Sequence, residues 1–154
     1  MPDFALTAPE RGLLRALDAH GIRFIIIGLG AALIEGAPVA TLDVDLWIER
    51  VDDPALPQAA RDAGAFWVSG FGVQPPAFGG DGFERLDVVL TAHGLGTFQD
   101  EYATAVTHVI DDIPVRVLPL HRIVASKRAT NRPKDRAALP ILEATLLARD
   151  NEDN

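Results

Sequence analysis

Asp43 and Asp45 stand two residues apart in the run Asp43-Val44-Asp45-Leu46-Trp47-Ile48, where acidic and apolar residues alternate. Alternation with period two predicts a strand, and on a strand both carboxylates project from one face. Like charges at that range disfavour joint ionisation unless a cation lies between them. A hard divalent ion meets the need. Magnesium, or manganese in its place, binds through one or two carboxylates and leaves its other positions to water and substrate phosphates. Upstream, the apolar run Phe24 to Ile27 breaks at Gly28-Leu29-Gly30, a short helix is expected over Ala31 to Glu35, and Gly36 with Pro38 makes a turn. A glycine turn entering a helix offers backbone N–H groups to an anion. Anion cradle and metal ligands therefore follow one another along the chain. The plain alternative is a surface strand with solvated acids after an ordinary turn.

Two further stretches carry charge in unusual settings. Asp87 sits inside the apolar strand Leu86-Asp87-Val88-Val89-Leu90, where burying a lone carboxylate is expensive unless a cation or a donor pairs with it. Arg85 and Arg116 are possible partners, and a metal is the other. Of the fourteen Lys and Arg, six (Arg122, Lys127, Arg128, Arg132, Lys134 and Arg136) fall in one short region against the single acid Asp135. In an acidic chain such local inversion points to an anion site, or to a solvated basic face complementing a helix C-terminus.

These residues resemble the DNA polymerase beta-like nucleotidyltransferases, in particular their small stand-alone prokaryotic branch. Members show a strand, Gly-Gly or Gly-Ser, a short helix, then Thr-x-Asp-x-Asp on the next strand. Thr41, Asp43 and Asp45 match, and Gly28 matches the first glycine. Leu29 stands where the second Gly or Ser is usual, Gly30 follows one place late, and Val39 occupies a position that is often Arg. Ser126-Lys127 and Arg132-Pro133-Lys134-Asp135 resemble the family's closing Ser-Lys and Arg-x-Lys-Asp. The resemblance spans most of the chain, residues 22 to 146. It implies an α/β (α+β) fold: a mixed, twisted sheet flanked by helices, with a helical C-terminus. It also implies Asp43, Asp45 and Asp87 as the catalytic, metal-holding acids, with Gly28, Leu29, Gly30, Thr41, Lys127 and Lys134 around the nucleotide. The implied activity transfers a nucleoside monophosphate from a nucleoside triphosphate such as ATP, with Mg2+ or Mn2+, to an acceptor hydroxyl on an RNA end, a protein or a small molecule.

Composition sets the frame for these residues. At 154 residues, 48% hydrophobic and 23% charged, the chain has the size of one globular domain, expected over 1–149, with a polar end from Asp150 expected to fray. No apolar run nears the roughly eighteen residues of a membrane span, and no basic region with a following apolar stretch opens the chain, so a cytoplasmic protein is expected. Without cysteine, disulfides and thiolate metal sites are excluded, and any metal must use oxygen or imidazole. The four histidines show no ligand spacing. A net charge of −8 argues against broad adhesion to nucleic acid, and the basic region is too small to follow an extended duplex.

The elements that must position the acids read as follows. Thr7-Ala8-Pro9-Glu10 predicts a helix start, Leu13, Leu14 and Leu17 its buried stripe, and Gly21 its end. Ile22 to Ile27 is apolar on both faces, hence a central strand with layers on both sides. Asp52-Asp53-Pro54 caps a helix over Leu56 to Ala63, and Phe66 to Val68 is a short strand. Ser69 to Phe83 reads as a long loop whose Phe71, Phe78 and Phe83 either stack on a base or anchor the loop to the core. A helix over Phe98 to Ala105 is followed by a hairpin, Val106 to Ile110 and Ile113 to Leu118, turning at Asp111-Asp112, with Pro114 marking an edge. Helices are expected over Pro119 to Thr130 and from Arg132-Pro133 to about Ala148. Leu29 and Val39 keep a rival open: a catalytically impaired interaction protein that retained the fold, such as a toxin–antitoxin component.

Overall fold

A computed structural model describes residues 5–153. Its centre is a five-stranded mixed sheet in the order β5-β2-β1-β7-β6, formed by β1 (Phe24–Ile27), β2 (Val44–Ile48), β5 (Leu86–Val89), β6 (Val106–Ile110) and β7 (Ile113–Val117). All four β1 residues are buried, as their apolar character on both faces requires. β1 runs antiparallel to β2, with Ile27 opposite Asp45, and β2 runs parallel to β5, with Asp45 opposite Asp87.

The helices cover this sheet for reasons written in their sequences. In α1 (Ala8–Ala19) the Thr7 hydroxyl accepts from the Glu10 amide and the Glu10 carboxylate accepts from the Thr7 amide, a reciprocal cap that satisfies two end groups. Its Leu13, Leu14 and Leu17 are fully buried, and it packs on α3 (Leu56–Asp62) and β7. α2 (Gly28–Ile34) begins at the glycine itself, three residues earlier than its apolar residues predict, and packs on β1, β2 and α5 (Leu120–Thr130). α4 (Phe98–Thr104) is capped by Thr97 and docks through Phe98, which meets Trp47 of β2 edge-on with ring centroids 5.5 Å apart. Leu120, Ile123 and Val124 seat α5 in the core. Asn131 ends it at φ 50° and α6 (Pro133–Glu152) starts two residues later, running past the expected end at Ala148 through most of the polar terminus. Asn154 lies outside the described residues, as do the first four.

Three further expectations change. The stretch from Ser69 to Phe83 is not all loop: Ala77–Gly79 returns as β4 and pairs with β3 (Phe66–Val68) in a separate two-stranded sheet. Phe78 and Phe83 are buried anchors, and Phe71 is exposed. Pro114 does not mark an edge, because β7 lies between β1 and β6. The β1 pairing reaches β7 only at Val117, so the proline is beyond β1 and its missing N–H costs no ladder bond there. Finally, Asp87 is exposed rather than embedded, because β5 is the sheet's edge strand.

Candidate active site

Where β1 ends, the chain turns at Gly28 with φ +72°, a backbone conformation an L side chain rarely adopts. A Cβ on Gly28 would collide with Oδ2 of Asp45. The glycine therefore makes room for the carboxylate as well as for the turn. Asp45 and Asp87, in register on parallel neighbours, face the same side of the sheet. Asp43 lies one residue before β2, exposed, and its approach is held by Thr41, whose Oγ1 accepts from the Asp43 amide at 3.2 Å and donates to the Asp43 carbonyl at 3.3 Å. The three acids, Gly28, Leu29 and Thr41 line a cleft of about 380 Å³.

The opposite wall comes from α5 and the start of α6: Ser126, Lys127, Thr130, Arg132 and Lys134. The six basic residues of this region are not one open patch. Arg122 is bound to Glu101 and Arg128 to Glu143, while Arg136 donates to the Asn131 carbonyl. Lys127 and Arg132 both bond Asp135. Among the described residues Lys134 alone lines the cleft as a cation outside any ion pair.

Electrostatics within the cleft follow from this layout. Burial and the neighbouring Asp87 push the pKa of Asp45 up, Lys127 pulls it down, Asp43 raises it again and Lys134 offsets that in part. Asp87 is exposed as a residue, but partial desolvation of its carboxyl at the cleft wall and then the charge of Asp43 push its pKa up. Among the described residues none of the three carboxylates is hydrogen-bonded or ion-paired to a protein side chain. Arg85, one partner considered for Asp87, is taken by Glu10 at 2.7 Å and 2.9 Å. Arg116, the other, donates to the Tyr102 and Ala105 carbonyls and lies over the Tyr102 ring.

Eight of the nine residues singled out from the sequence meet at this cleft. Gly30 does not: it is buried in the first turn of α2. Val39 packs against the core. Thr91, His93, Thr130 and Arg132 line the cleft without having been named as binding residues. The only sequence signal for Thr91 and His93 is their place just after the strand that bears Asp87.

No protein-family model and no curated protein matches the sequence. Among solved structures the chain is similar to the antibiotic-resistance factor ANT(2'')-Ia, an aminoglycoside nucleotidyltransferase, with TM-score 0.56 and 19% identity over 94% of this chain and 85% of that one. The fold is nucleotidyltransferase-like.

Within the nucleotidyltransferase-like fold, the acids lie at the β1–β2–β5 end of the sheet beside the start of α2. Among the described residues no group of three or more His, Cys, Asp or Glu forms a ready-made metal cage. What lines the cleft is Asp45 and Asp87, in register on neighbouring strands, with Asp43 one residue before β2, all oxygen donors. Oxygen donors of this kind are chemically compatible with a hard divalent ion only if water and phosphate supply its remaining ligands, the usual habit of magnesium. Among the described residues no helix is long and apolar enough to cross a membrane.

Proposed function

We propose that the chain is a metal-dependent nucleotidyltransferase, moving a nucleoside monophosphate from a nucleoside triphosphate to an acceptor hydroxyl. One observation carries the reading: three carboxylates that no side chain among the described residues hydrogen-bonds or ion-pairs face, across one cleft, a lysine outside any ion pair among those residues, beside a helix that starts on a glycine. Repulsive acids are a costly arrangement unless a cation and an anion together complete them.

Asp43 and Asp45, with Asp87 at a second position, would hold Mg2+ or Mn2+. The ion would neutralise the triphosphate and acidify the attacking hydroxyl. The chain's own groups bind and orient. Amides at Gly28 and Leu29, the Thr41 hydroxyl and the ammonium groups of Lys134 and Lys127 contact phosphate oxygens. Asp87, on the edge strand and open to solvent, orients the acceptor hydroxyl or accepts its proton. The hydroxyl oxygen bonds to the α-phosphorus, the bond from that phosphorus to the bridging oxygen breaks, and pyrophosphate leaves.

Calorimetry with a nucleoside triphosphate and manganese tests the site. The double variant Asp43→Asn, Asp45→Asn should lose at least tenfold in affinity for the pair, and unchanged binding would mean the site lies elsewhere. Acceptors can be sought with labelled triphosphates and a host lysate, RNA ends or, following the neighbour's substrate class, an aminoglycoside. A second reading, an interaction protein with a disabled site, is favoured by Leu29, which lines the cleft where a small residue is usual and packs in part against the core. It predicts poor triphosphate binding by the wild type and a large gain on Leu29→Gly. We expect little change, because leucine keeps the amide donor.

A further inference from the structure

The Asp135 carboxylate is fully buried, 0% exposed. It accepts from the Arg132 amide at 3.1 Å, from Arg132 Nε at 2.8 Å and Nη2 at 3.2 Å, and lies 3.2 Å from Lys127 Nζ. Two cleft-lining cations from different helices are thus tied to one anion beneath the cleft wall. The planar Arg132 fork is engaged along one edge, so its orientation is set. Lys127, only 15% exposed, has little freedom to turn away.

We infer that Asp135 is a positioning residue for phosphate recognition, a buried carboxylate that holds Lys127 and Arg132 side by side with their remaining N–H groups facing the cleft. The inference rests on reading the cleft as a triphosphate site. Without the carboxylate, two like charges in one corner repel, and each long side chain gains by swinging to water. The triphosphate would then have to re-collect them at an entropic cost for each side chain. A second consequence concerns charge. Lys127, Arg132 and Asp135 together present one net positive charge, and that surplus is what a phosphate meets.

Asp135→Asn separates positioning from simple charge, because the two act in opposite directions. Removing a negative charge beside an anion site should tighten binding if charge alone mattered. Lost positioning should weaken it. Isothermal titration with magnesium ATP and with inorganic tripolyphosphate, run well below the melting temperature, should show a loss of about tenfold or more for both probes, as expected when a charge-assisted contact of about 1.4 kcal/mol is lost. Binding as tight as, or tighter than, wild type would overturn the inference while leaving the cleft's function standing. Wild-type protein that binds neither probe would overturn the triphosphate reading itself and this inference with it. Should Asp135→Asn fail to fold alone, it can be placed in a Lys127→Met, Arg132→Met background, where no buried charge is left unpaired. There no cation is left to position and only the charge effect remains, so Asp135→Asn should leave affinity unchanged or raise it, and an additional loss would assign Asp135 a purely structural role.

Discussion

Asp45 concentrates the tension in the molecule. It is pressed into the space left by Gly28, shares its face with Asp87, and has its pKa raised first by burial and then by that neighbour. A raised carboxylate pKa means the ionised form is held against its preference, so ionised Asp45 subtracts from stability at neutral pH. Asp45→Asn should therefore stabilise the ligand-free protein, by an amount on the order of 1 kcal/mol or roughly 2–4 °C in melting temperature. It should at the same time abolish manganese and triphosphate binding. A melting temperature that falls would mean Asp45 has a structural partner. Gly28→Ala is the counterpart. It places a side chain at φ +72° and into the Asp45 carboxylate, and should lower both stability and nucleotide affinity, whereas Gly12→Ala, in open space on α1, should do neither.

At the scale of elements, the cleft depends on α2 and α5 keeping their relative places, and Glu35 fastens them. Its buried carboxylate follows the last turn of α2 and accepts from the Leu120 amide, the first N–H of α5, at 3.1 Å. It also lies 2.7 Å from His108 Nε2 on β6 and 3.5 Å from Arg149 Nη1 on α6. An acid at a helix N-terminus satisfies an orphan donor and the dipole together. Glu35→Ala should cost about 2 kcal/mol, roughly 4–8 °C in a thermal melt, and should loosen triphosphate binding through Lys127 of α5. Glu35→Gln, which keeps an acceptor, should cost less. This tie was not legible in the sequence, since its partners are 73 to 114 positions away. What could be read were elements with strong local pattern: the leucine stripe of α1, the isoleucine run of β1, the alternation of β2. β4 was hidden because Pro75-Pro76 and flanking glycines carry loop chemistry on both sides of a three-residue strand. Likewise the basic region was visible as composition, but its division into tied and free cations depends on Glu101, Glu143 and Asp135, which only tertiary packing brings near. Asp87 was read as buried because periodicity cannot say which strand forms the edge.

The whole molecule carries two sets of carboxylates whose contributions to stability run in opposite directions with pH. In the first set each acid is fastened to cations. Burial would raise Glu10, but Arg85 and the Thr7 amide hold it below its ordinary value. Glu101 is held down by Arg122, against burial, with help from the Gly96 amide. Asp135, which burial would raise, is held well below the carboxylate range by Arg132 and Lys127. The unfolded chain binds protons at these groups near pH 4 while the folded chain still resists, so their stabilisation is complete above about pH 5 and is lost as pH falls further. The second set, Asp45 and Asp87, is raised. The folded chain takes up protons there before the unfolded chain does, so stability grows as pH descends from neutral toward the ordinary carboxylate range near 4. The ligand-free protein should therefore melt highest in mild acid, not at pH 7, and then fail steeply below about pH 4 as the three fastened acids protonate. With magnesium and triphosphate bound, the cleft acids have their cation, the gain on mild acidification should disappear, and the maximum should move toward neutral pH. Melting curves from pH 4 to 8, with and without the ligand pair, read both limbs, and Asp45→Asn should shrink the mild-acid rise while leaving the acid failure unchanged. A ligand-free profile that declines steadily from pH 7 downward would mean that the cleft acids do not repel one another, and the electrostatic reason for placing a cation among them would be gone.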